Sequence, residues 1–170
     1  VNLIDKEHAD YFHTLERLQT RFGAQTVPVV LPIGTTENFS GVIDLVTMKA
    51  HTDEKDSSGN SPATDIPDEH ADLAAEYREK LVETVAESDD ELLEQYFEAG
   101  DLTADQLIEA LRKGVETGVI FPVLCTSASQ NIGTASVLST ISQFMPSPAA
   151  PTEIRATKAG TEDEIAIEAK

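Results

Sequence analysis

Two short stretches at opposite ends of the 170-residue sequence hold the residues best suited to chemistry. One is Ser127-Ala128, which follows an apolar run from Val119 to Cys125 and precedes Gly133. A fully buried parallel strand reads this way when it delivers a loop to a crevice beyond the carboxyl ends of an open α/β sheet. The other is Asn2 with Asp5, at what reads as the end of an apolar segment. A carboxylate so placed can accept two hydrogen bonds from adjacent N–H donors. An Asn and an Asp in such a position are more often caps or turn residues, so the pair assigns no ligand by itself.

Other reactive side chains carry less. Cys125 is the one cysteine, which excludes an internal disulfide framework, and its apolar neighbours mark it as a small buried hydrophobe in a reduced, intracellular compartment. His8, His13, His51 and His70 have neither convergent spacing nor cysteine neighbours, so they read as surface or core histidines, not metal ligands. Asp53, Glu54 and Asp56 lack the glycine and distal glutamate of a calcium loop and read as solvated charge.

A 40% hydrophobic content with few Gly and Pro describes a globular chain with one good core or two small ones, and no run reaches membrane-spanning length. The formal charge is −19 and is unevenly placed. Between Asp53 and Glu109 there are nineteen Asp and Glu against three Lys and Arg. Such a surface disfavours direct nucleic-acid binding and steers a basic protein partner toward itself.

These residues need a scaffold, and the periodicities outline one. Residues 6–22 place Tyr11, Leu15, Leu18 and Phe22 at helical spacing, with Gly23 as a stop. Residues 27–33 and 42–50 read as two antiparallel strands joined by a turn-rich segment, with Pro28 and Pro32 suited to edge or terminal positions. Residues 53–65 read as a mobile loop. Three helices follow. The first runs from Pro67 to Ser88, with Ala74, Tyr77, Leu81 and Val85 on one face and Asp72, Glu76, Glu79, Glu83 and Glu87 on another. The second, residues 90–99, is expected to bury Leu92, Leu93, Tyr96 and Phe97 and to end at Gly100. The third opens with a Thr103/Gln106 capping box and turns Leu107, Ile108, Leu111 and Val115 inward. Beyond the Ser-Ala loop, residues 132–145 carry Ala135, Leu138, Ile141 and Met145 on one helical face, and Pro146 and Pro148 stop that helix. Residues 149–170 read as a linker running into the first strand of a further domain. With Val1 at what looks like a strand end, the sequence reads as a piece of a longer protein.

Several separated strings keep one order along the chain: Val27-Pro-Val-Val-Leu-Pro-Ile-Gly34, Phe39-Ser-Gly-Val-Ile-Asp-Leu45, Met48-Lys-Ala50, Asp89-Asp90-Glu-Leu92 and Pro146-Ser-Pro148. With Asn2-Leu3-Ile4-Asp5 in place of an Asn-Lys-x-Asp loop, and with the Ser127-Ala128 loop, the sequence resembles the bacterial elongation factor G family of translational GTPases. The resemblance implies an α/β fold in which a P-loop-GTPase-type nucleotide domain carries an inserted small α/β subdomain of strands and three helices. Residues 1–26 would hold the guanine-reading loop and its following helix, residues 27–118 the insert, residues 119–148 the return strand, Ser-Ala loop and helix, and residues 149–170 the linker and start of a second domain.

The same resemblance implies cytoplasmic work on the ribosome in translocation, with GTP or GDP as the nucleotide. Asp5 would accept from guanine's ring N–H and exocyclic amine, Asn2 would tie the two loops together, the backbone N–H of Ala128 would donate to the guanine oxygen, and Ser127 would support the turn. The acidic helix from Pro67 to Ser88 would meet the ribosomal stalk protein. Leu3 stands where that family has lysine and replaces only the apolar part of its contact with the base. No phosphate-cradling glycine-rich loop occurs in the sequence, so hydrolysis groups and the Mg²⁺ ligands are expected outside it and this piece should be inactive. Two alternatives stay open: a ribosomal protection protein or divergent paralogue that uses nucleotide weakly, and a protein-binding module with no nucleotide role.

Overall fold

The computed structural model describes residues 1–52, 61–147, 154–160 and 164–167, and shows a mixed helix-and-sheet chain. Helix α1 spans Tyr11–Phe22 and starts five residues later than the periodicity suggests. The carboxylate of Asp10 accepts from the His13 N–H (2.9 Å) and fixes the start there, and Gly23 ends the helix. Tyr11 is fully buried and its hydroxyl donates to the Val30 carbonyl at 2.9 Å, pinning α1 to the strands that follow. Phe22, expected on the inner face, is exposed.

The apolar run after α1 is two strands rather than one. Strand β1 (Thr26–Pro28) pairs in parallel with β5 (Phe121–Val123), while β2 (Val30–Ile33) pairs antiparallel with β3 (Gly41–Asp44), which pairs with β4 (Lys49–Thr52). Val29 is the changeover: its N–H donates to Val123 O (3.0 Å) and its carbonyl accepts from Leu45 N–H (3.1 Å). Both β1 and β2 pair on one side only among the described residues, which is where Pro28 and Pro32 are tolerated. The tight turn after β2 needs Gly34, whose φ is +75° and whose Cβ, if present, would lie 2.1 Å from the Asn38 carbonyl oxygen.

Helices α2 (Asp68–Ala86), α3 (Asp90–Ala99) and α4 (Ala104–Glu116) follow, close to the expected bounds. Ala74, Leu81 and Val85 of α2 are buried, and α4 carries the full Thr103/Gln106 capping box and buries Leu107 and Leu111. Phe97 of α3 departs from expectation: it is 76% exposed, and the apolar side chains by which α3 packs on the core are the half-buried Leu92, Leu93 and Tyr96. Helix α5 (Thr134–Phe144) departs further. Its packing against α4 buries Thr140 and Phe144 and leaves Leu138, Ile141 and Met145 exposed. Of the apolar row read from the sequence as one helical face, only Ala135 is half-buried, and the rest is open to solvent.

Strand β5 is parallel as expected, but it is not fully buried. Val123, Cys125 and Ser127 alternate inward, whereas Phe121 is 50% exposed. At the far end β6 (Ile154–Thr157) and β7 (Glu164–Ile167) form an antiparallel hairpin where a single strand was expected. The loop expected to be mobile falls largely outside the described residues, as do Asp53, Glu54 and Asp56; within it, Thr64 pairs with Ala50 as an extra β-bridge. No described helix is long and apolar enough to cross a membrane.

Candidate functional site

The first four residues lie alongside the exit of β5. Val1 donates its amino group to Leu124 O (2.6 Å) and accepts from Thr126 N–H (3.0 Å), and Ile4 N–H donates to Thr126 O (3.4 Å). Buried Ile4 anchors the segment, and its carbonyl accepts from Thr36 N–H at 3.0 Å. A tight turn closed by Lys6 N–H to Leu3 O (3.1 Å) then presents Asp5. Leu3 sits in this turn at φ +67°, a conformation uncommon for a non-glycine residue, and is 47% exposed.

The second loop is closed by a β-bridge between Ser127 and Ile132, with Ser127 N–H to Ile132 O at 2.9 Å and Ile132 N–H to Ser127 O at 3.1 Å. Inside it the Gln130 N–H donates to the Ser127 carbonyl (3.2 Å) and hydroxyl (3.3 Å). Gly133 finishes the loop at φ +73°, and an added Cβ would stand 2.8 Å from the Cys125 carbonyl oxygen, so a side chain there meets both backbone strain and a clash.

All four residues singled out from the sequence meet here. The Asn2 Oδ1 accepts from the Ala128 N–H at 3.1 Å and from the Leu3 N–H at 2.8 Å. The Ser127 hydroxyl donates to Asp5 Oδ1 at 2.7 Å. Three further residues, which sequence reasoning missed, surround the other carboxylate oxygen: Lys6 Nζ at 3.0 Å, the Ser129 hydroxyl at 3.4 Å and the Gln130 Nε2 at 3.5 Å. Only their adjacency to Asp5 and Ser127 in the chain signalled them. The Asp5 side chain is thereby 2% exposed. The Ser127 hydroxyl, and then Lys6, hold its carboxyl below the ordinary carboxylate value.

Cys125, under this loop, is fully buried, and burial pushes its thiol up to about 12. It is a thiol and not a nucleophile at neutral pH. The described histidines do not converge: His51 contacts the Ser61 carbonyl, while His8, His13 and His70 lie beside surface glutamates. Among the described residues no group of three or more His, Cys, Asp or Glu is placed to hold a metal ion.

No model of a known protein family matches the chain. Among solved structures, it is similar to a crystal structure of a protein from Thermus thermophilus, at 30% identity and a TM-score of 0.75, over 88% of this chain and 22% of that one. The likeness is one of fold. This chain spans less than a quarter of the length of the protein it matches.

Proposed function

We propose that this chain supplies the base-recognising side of a guanine-nucleotide site in a translational GTPase resembling elongation factor G. The observation that carries the reading is the joining of two loops 122 residues apart through Ser127 and Asp5, with Asn2 bridging to Ala128. Two loops fastened to one another around a carboxylate acceptor and a backbone N–H donor match what guanine displays: two adjacent donors and one acceptor. The exposed Leu3 adds an apolar surface beside them.

The donor set fits a base and fits neither phosphate nor Mg²⁺. GTP or GDP would therefore be held chiefly by groups elsewhere in the parent, and ribosomal translocation would be the work of that whole protein. The isolated chain should bind guanosine in the millimolar range and hydrolyse no GTP. An NMR titration with guanosine, and with adenosine as control, tests this. Shifts confined to residues 2–6 and 127–130 with guanosine alone support it; their absence, or micromolar GDP binding by the isolated chain, overturns it.

A second role rests on a different observation. Asp72, Glu79 and Glu83 of α2 and Glu87 just beyond its end are exposed, and α3 carries no basic residue. This face suits a basic protein partner, for which the ribosomal stalk protein is the candidate that the resemblance supplies.

A further inference from the structure

We propose that Gln130 is an internal competitor for the nucleotide base, and that its side chain sets the affinity of the site. The inference rests on the reading of these loops as a guanine site. A base that engages the Asp5 carboxylate with two donors needs both oxygens, yet the carboxylate is 2% exposed and both oxygens are already occupied from within the chain. The occupants differ in grip. Ser127 (2.7 Å) and Lys6 (3.0 Å) are firm, whereas Ser129 (3.4 Å) and Gln130 (3.5 Å) are long, at the weak limit of hydrogen bonding. The long pair, both on Oδ2, is what an incoming base displaces, while Oδ1 keeps a second lone pair beyond its Ser127 bond.

Gln130 is the more telling of the two. Its amide must turn nitrogen toward Asp5, since the opposite orientation sets oxygen against carboxylate. In that orientation its Oε1 is buried and has no hydrogen-bond partner among the described residues. The closed arrangement therefore combines a weak bond with an unsatisfied acceptor, and swinging the side chain outward returns both ends of the amide to water. The motion is small, because the Gln130 backbone stays fixed through its N–H to Ser127. A second self-contact works in the same sense: the Ala128 N–H that a guanine oxygen would use is held by Asn2.

The test is the guanosine titration repeated with Gln130→Ala in the same 170-residue chain. Removal of the competing amide should tighten guanosine binding by about fivefold, and leave adenosine unchanged. In the unmodified protein, the Gln130 side-chain amide resonances should move as guanosine saturates the site. Guanosine binding by the unmodified protein that is equal or stronger than that of Gln130→Ala overturns the competitor role and leaves the base-site reading standing. Gln130 amide resonances that stay put at saturation do the same, and need no variant. Failure of guanosine to shift any residue of either loop, in parent and variant alike, overturns both.

Discussion

Asp5 shows how much a single residue's environment decides. Its folded-state pKa is depressed below 3.8 by Ser127 and then Lys6, so the stability it contributes is complete above its unfolded value and is lost as pH falls through the folded one. Asp5→Asn should therefore melt below the parent at pH 7, and the gap should close as pH is lowered from about 4 toward 2. A gap in melting temperature that persists unchanged at pH 2 would show that the charge of the carboxylate, held by Ser127 and Lys6, is not what stabilises the fold. Leu3 belongs to the same scale. It is exposed, and on the proposed reading a lysine there would lay its stem along the base and add charge, so Leu3→Lys should tighten guanosine binding several-fold. Equal affinity, with a fold unchanged by circular dichroism, would show that residue 3 does not contact the base.

Among the elements, α2 is fastened to its surroundings through a cation on its inner side. Arg78 donates from one guanidinium nitrogen to the Leu45 and Val46 carbonyls (both 2.8 Å) and from the other to Leu102 O (2.9 Å), fastening α2 to the β3–β4 turn and to the α3–α4 loop. Sequence reading counted Arg78 only as one of three cations in an acidic segment; its spacing to Leu81, Val82 and Val85 puts it on the buried row. Arg78→Ala leaves three carbonyls without that donor and should cost about 3 kcal/mol in urea unfolding. A loss below about 1 kcal/mol would mean that water replaces the guanidinium freely. The capping box of α4 is the contrasting case, a local device: Thr103→Ala should lower stability by about 1 kcal/mol, whatever the helix packs against. A melting temperature equal to the parent's would show that the box adds nothing to the packed helix.

For the whole molecule the uneven charge matters most. Glu76 is answered by Lys80 one turn on, so it has a structural partner, whereas Glu79 and Glu87 have none among the described ion pairs. Exposed charges of this kind act mainly on association rate and are screened beyond about 8 Å at physiological salt. Reversing Glu79, Glu83 and Glu87 to Lys should slow association with a basic protein partner at least tenfold at low salt, with the melting curve little changed. Stopped-flow rates equal to the parent's would mark the face as solvated surface only.

Signals that act between near neighbours were legible in the sequence. The Thr103/Gln106 box, the glycine stop of α3, the buried row of α2 and the Ser127-Ala128 turn depend on residues a few positions apart, and the chain carries them wherever it folds. What depended on distant partners was not legible. Residues 27–33 read as one apolar strand because both halves are buried, and only the arrival of β5 on one side and β3 on the other divides them at Val29. Helix α5 is apolar on more than one face, so its periodicity could not choose; contact with α4 selects Thr140 and Phe144 and leaves Leu138 67% exposed. Asn2, Asp5, Ser127 and Ala128 were named through the resemblance, since by residue type alone an Asn and an Asp so placed read as cap or turn residues. That Ser129 and Gln130 close over the same carboxylate was decided by the tertiary structure alone, because hydrogen bonds spanning more than 120 residues leave no periodicity along the chain.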